Sequence, residues 1–151
     1  MGCFCTLDFL SRSSPSFSGG VVGRHGLPNE SDINWLQSTA DGRRLVFVGD
    51  ADPCDLLVFA WMQSRIDIVH HGLNDSLLEQ CGVSLNDRMT IAQSESKSAA
   101  MPLLSAFAPQ FPTLLGPNCA NLIQAGRKVE LEVLASFATE QPDAIAKALI
   151  E

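Results

Sequence analysis

Apolar positions in this chain fall into short unbroken runs, separated by stretches in which they recur at helical spacing. The clearest run, Leu45-Val46-Phe47-Val48, predicts a strand buried on both faces, because a strand with one wet face would alternate apolar with polar residues. Residues 3–10, 21–23 and 66–70 give three further strand candidates, and the Ser/Gly/Pro-rich residues 11–20 read as a loop. A helix capped by Asn29 or Ser31 carries Ile33, Trp35 and Leu36 and ends at Asp41-Gly42. The next, residues 55–65, opens at Pro53 and is apolar almost all round, which predicts a central position. Residues 75–81 form a short helix closed by Gly82, and residues 89–107 a longer one interrupted by Pro102. Helical segments then follow near 120–126, 129–137 and 143–151. Strands alternating with helices predict an α/β fold: a parallel sheet of about four strands with helices on both faces, joined by right-handed crossovers.

No internal repeat, low-complexity tract or long linker divides the 151 residues, so a single domain is expected. The net charge of −7 opposes the broad basic surface that a free-standing nucleic-acid binder needs, so contact with nucleic acid would require a partner subunit or a bound metal. The longest apolar run, Leu56 to Met62, is too short to cross a bilayer, and no charged segment leads an apolar one at the start. The chain therefore reads as cytoplasmic. Its five cysteines, an odd number, argue for reduced thiols packed as small apolar groups. Cys3-Phe4-Cys5 lacks a second pair at zinc spacing. Met1-Gly2-Cys3 also fits the loose pattern for a lipidated terminus, and packing of residues 3–10 as an inward strand is the preferred account.

Chemistry concentrates at the carboxyl end of the Leu45–Val48 run, in Asp50-Ala51-Asp52-Pro53. Open α/β sheets bind their ligands at that end of the strands. Residues two apart on an extended chain point to one side, so Asp50 and Asp52 are expected to stand exposed together in a cleft and to hold hydrated Mg²⁺ or Mn²⁺. The alternative is that Asp52 caps the helix whose first turn holds Pro53.

Several segments in this order resemble the Toprim domain, in particular the version in the A subunit of type IIB topoisomerases, the related meiotic double-strand-break enzyme and the nuclease subunit of the Wadjet plasmid-defence system. The resemblance spans roughly residues 20–135. Gly23-Arg24-His25-Gly26-Leu27-Pro28-Asn29 is similar to the family's Gly-Lys-Gly-Tyr-Pro-Asp segment, and Asp50-Ala51-Asp52-Pro53 to its Asp-x-Asp-Pro metal motif. His71-Gly72-Leu73-Asn74-Asp75 falls where the family has a strand leading into a Gly-Leu-x-x-x-Asp turn, and Lys128 to Leu134 resembles its late Lys-x-Glu-x-x-Ala-Leu helix. The resemblance implies a Toprim-like fold, Mg²⁺ or Mn²⁺ at Asp50 and Asp52, a catalytic set of Asp50, Asp52 and Glu130, and action on nucleic acid or nucleotide phosphate.

Two departures weigh against turnover. The family's first-strand glutamate is missing, since no glutamate precedes Glu30, and the glycine after Asp-Pro-x is replaced by Asp55. The chain also contains no tyrosine, which excludes covalent strand transfer through a tyrosine of its own. Three functions follow in descending order: a degenerate Mg²⁺-binding Toprim-like domain that acts on or senses phosphate with little catalysis alone; an inactive Toprim-like module for protein interaction or self-association; and a flavodoxin-like binder of a small phosphorylated ligand.

Other polar residues have plain structural readings. His70 and His71 on one strand point to opposite faces, so one buried and one exposed histidine is expected. Lys128 and Glu132 form an i,i+4 pair if residues 129–137 are helical, and Arg43-Arg44 is a surface pair.

Overall fold

The computed structural model describes Gly20, Val22, Gly23 and residues 26–137. Helix α1 (Glu30–Ala40) opens on Asn29, whose side-chain oxygen accepts the Ser31 and Asp32 N–H groups while Asp32 accepts that of Asn29. It ends at Asp41 and Gly42, both at positive φ. Strand β1 (Leu45–Phe47), helix α2 (Pro53–Gln63) and strand β2 (Ile68–His70) then form the expected βαβ unit, with β1 parallel to β2 in the register Phe47 to His70. Beyond the strands the pairing persists: His71 N–H donates to Phe47 C=O at 2.9 Å and Leu73 N–H to Gly49 C=O at 3.0 Å. No side chain fits at the second of these crossings, since a Cβ on Gly72 would lie 2.7 Å from the Gly49 carbonyl oxygen.

Helix α3 (Asp75–Gln80), capped by Asn74, follows as expected. The next segment differs. Instead of one long helix over 89–107, the chain makes a 3₁₀ turn (Asp87–Met89), strand β3 (Ile91–Ala92), helix α4 (Glu95–Ala99) and helix α5 (Met101–Phe107). Ile91 and Ala92 are drawn out of the helical pattern because they pair antiparallel with β4 (Arg127–Lys128). Helices α6 (Phe111–Leu115) and α7 (Pro117–Gln124) lie between, and α8 (Glu132–Phe137) starts later than position 129 because Val129 is bridged to Ala51.

The fold is therefore mixed α/β, with one parallel and one antiparallel strand pair among the described residues. Of the strands expected in a four-stranded parallel sheet, 45–48 and 66–70 are present as β1 and β2. Val22 and Gly23 carry no strand, and residues 3–10, like the helix expected at 143–151, lie outside the described residues. Helix α2 is central, as its all-round apolarity predicted. Leu56 joins a core with Leu73, Leu104, Ile123 and Leu134, while Val58, Phe59 and Met62 join another with Ile33, Phe47 and Ile68.

One long-range contact fixes α7. Asp75, at the start of α3, accepts the backbone N–H groups of Asn118 and Cys119 at 2.8 and 2.9 Å, so one helix supplies the anionic cap of another. Gly116 makes room for it. Its φ of 82° and ψ of 164° belong to a region essentially reserved for glycine, and a Cβ there would lie 2.6 Å from Asp75 Oδ2. Gly116→Ala is expected to cost roughly 2–3 kcal/mol in urea unfolding. Gly126→Ala, at positive φ but with open space around it, should cost only about 1 kcal/mol. Equal losses would mean that Asp75 does not hold α7.

Candidate functional site

The chain leaving β1 turns through Gly49 and pairs with the segment leaving β4. Ala51 N–H donates to Val129 C=O at 3.0 Å and Val129 N–H to Ala51 C=O at 3.3 Å. This bridge lays Asp50, beside the fully buried Ala51, against Leu131, 81 positions away in sequence.

Asp52 is 1% exposed and fully committed. Its Oδ1 accepts the N–H groups of Cys54 and Asp55 at 2.8 and 3.0 Å, capping α2, whose first residue Pro53 has no N–H to satisfy. Its Oδ2 forms an ion pair with the Lys97 ammonium from α4. The expected exposed acidic pair is thus corrected: the capping reading of Asp52 holds, and the burial that goes with it requires a counter-charge. Burial disfavours the Lys97 ammonium, yet the bond and charge of Asp52, with Asp50 and Cys54 adding to them, hold its pKa above the ordinary value.

Asp50 is half-buried. Its Oδ1 accepts Leu131 N–H at 2.8 Å, and its own N–H donates to Asp55 Oδ2 at 2.9 Å. Burial pushes its carboxyl up to about 6; the Leu131 bond works against that shift, and the charges of Asp55, Glu132 and Asp52 add to it. A carboxyl with that pKa can hold or release a proton near neutrality.

Glu130, the third residue expected in the site, turns instead to Lys128, with which it forms an ion pair. The expected pairing of Lys128 with Glu132 is corrected for the same reason, since Lys128 lies on a strand and alternate residues share a side. The glutamate whose charge acts on Asp50 is Glu132. Lys97 and Glu132 are the site residues that sequence reasoning missed. Nothing in the local pattern marks them, because both arrive through the antiparallel pairing of β3, β4 and Val129.

The histidines divide as predicted. His70 is 8% exposed, stacked on Phe47 (centroids 6.1 Å apart) and edge-on to Phe59 (5.0 Å), with neither ring nitrogen hydrogen-bonded. Burial, with His71 nearby, lowers its pKa to about 4. His71 is partly exposed and lies 2.6 Å from the Arg44 guanidinium. Cys81 and Cys119 are free thiols, and burial raises both above the ordinary range.

The donor set does not fit a divalent cation as it stands. Asp52 has no oxygen left, Glu130 is paired elsewhere, and no group of three or more metal-ligating side chains occurs among the described residues. No helix among them is long and apolar enough to cross a membrane. No protein family, curated protein or solved structure matches the chain.

Proposed function

We propose that this chain is a Toprim-like α/β module that does not carry out phosphodiester chemistry alone and serves as an interaction module, meeting nucleic acid or nucleotide phosphate only through a partner subunit. The wider four-stranded parallel sheet, with β1 and β2 as two of its strands, belongs to this proposal. The observation that carries it is the commitment of Asp52: one oxygen caps α2 and the other binds Lys97, so the acidic pair holds the fold together where a nuclease would present it to metal and phosphate.

Two surface features favour interaction with another protein or a second copy of the chain. Leu103 and Phe107, one turn apart on α5, are 52% and 73% exposed. An apolar groove beside them in sequence is lined by Leu56, Phe59 and Ala60 of α2 and by Phe111 and Leu114 of α6. The charge of −7 disfavours direct binding to DNA at physiological salt.

Supercoiled, linear and single-stranded DNA incubated with the purified chain and Mn²⁺ should remain intact. Metal-dependent nicking that disappears in Asp50→Asn would overturn the proposal and restore a catalytic reading.

A further inference from the structure

From Ser98 to Gly126 no residue carries a charge, where the chain's average of 18% charged residues would place about five. The stretch is not hidden in the core. Helix α5 within it fully buries only Leu104 and turns Leu103 and Phe107 outward, 52% and 73% exposed. Four positions apart, these two share one face of the helix.

The groove between α2 and α6 lies next to this ridge, and Ala108, the residue after Phe107, forms part of its wall. Its volume of about 90 Å³ is well below the roughly 300–1,000 Å³ of a small-molecule site. A cleft of that size, walled by Ala60, Phe111 and Leu114, takes one apolar side chain from a protein surface. Leu56 of α2, Leu104 of α5 and Phe111 of α6 belong to one core, so ridge and groove are held as a single rigid unit.

Charge selects the occupant. Nucleic acid or anionic lipid would call for lysines and arginines here, and a basic protein for carboxylates; the described residues lining the groove include neither. A second copy of this chain has a different requirement. In a two-fold interface each side chain near the axis meets its own counterpart, so charges repel, and a chain of −7 can approach itself closely only through a face without charge. The polar lining obeys the same rule. Gln63 and Gln110 carry amides, each both donor and acceptor, which can bond to their own counterparts as two carboxylates or two ammonium groups cannot.

We infer that this face is a two-fold interface between copies of the chain, in which Phe107 of each copy fills the groove of the other. The inference rests on the interaction-module reading above and gives that module its partner.

Sedimentation velocity of the full chain from about 1 to 200 µM tests it. The wild type should pass from monomer to dimer and stop there, because a reciprocal contact closes on itself. Phe107→Ser should keep the wild-type circular dichroism, since the side chain is mostly exposed. It should weaken the dimer at least about thirtyfold, as for an aromatic anchor lost from both sides. Ala60→Phe, which fills the groove, should weaken it likewise. A mixture of the two variants should dimerise better than either alone, because the Phe107 of one still finds the open groove of the other. Should Ala60→Phe fail to fold, Phe107→Ser alone decides.

Any of four results would overturn the inference: a wild type monomeric throughout, its groove then filled by its own chain or left to an unlike partner; a dimer that Phe107→Ser leaves intact; open-ended association without a dimer plateau; or a mixture of folded variants that gains nothing. Failure here is distinct from failure of the proposed function. A monomeric wild type that leaves DNA intact sinks only the self-association; a wild type that nicks DNA sinks the function, whatever its oligomeric state.

Discussion

Asp52→Ala is expected to destabilise the protein by about 2–4 kcal/mol, the largest loss of any single acidic substitution in the site. Two costs combine. The N-terminus of α2 loses the acceptor of two N–H groups, typically worth about 1 kcal/mol. Lys97 is left as a half-buried cation without its partner, a penalty set below the roughly 3–5 kcal/mol of a fully buried broken pair because a quarter of its side chain is exposed (26%). Asp52→Asn keeps an oxygen to cap the helix and loses only the charge, so it should cost about half as much. Urea unfolding at neutral pH measures both. A loss below about 1 kcal/mol in Asp52→Ala would mean that the pair is not structural.

Local chemistry was legible in the sequence wherever neighbours within a turn decide the outcome. Asn29 caps α1, Asp41-Gly42 stops it, and Pro53 opens α2 with Asp52 ahead of it. The βαβ unit was also legible, because Leu45 to Phe47 and Ile68 to His70 are apolar runs of strand length and the helix between them is apolar all round.

What the sequence hid lies in the segments that pair over long range. Ile91 and Ala92 sit in a stretch whose composition suits a helix, and only β4, some thirty-five positions later, makes them a strand. The bridge of Val129 to Ala51 that follows β4 delays the helix expected from 129 until Glu132, and Lys128, on the strand, pairs with Glu130. The pattern of carboxylates identified where the acidic residues gather but not how they are used, since the spacing of Asp50 and Asp52 serves a metal pair and a helix cap equally well. Choosing between them requires Lys97, 45 residues away, which no local signal ties to Asp52.

Acid should reveal His70. Its pKa falls from 6.5 in the unfolded chain to about 4 in the folded one, because the ring is packed between Phe47 and Phe59 with both nitrogens unbonded. The unfolded chain therefore takes up a proton that the folded one refuses between those two values. The contribution is full above pH 6.5 and is lost as the pH falls to about 4, by up to about 3 kcal/mol. Asp50 acts with the opposite sign. Its carboxyl, raised from 3.8 to about 6, gives stability that is full below 3.8 and lost as the pH rises through 6, worth roughly 1–2 kcal/mol after allowance for its partial exposure. The two oppose each other between about pH 4 and 6, so the wild-type profile of unfolding free energy should be shallow there. His70→Phe should remove the acid loss, leaving a protein that gains stability as the pH falls from 6 to 4. Asp50→Asn should keep the Leu131 bond, remove the compensating gain and steepen the loss. Urea midpoints taken from pH 7 to 4 on the three proteins separate the terms. A His70→Phe profile parallel to the wild type would show that the buried imidazole does not govern the acid limb.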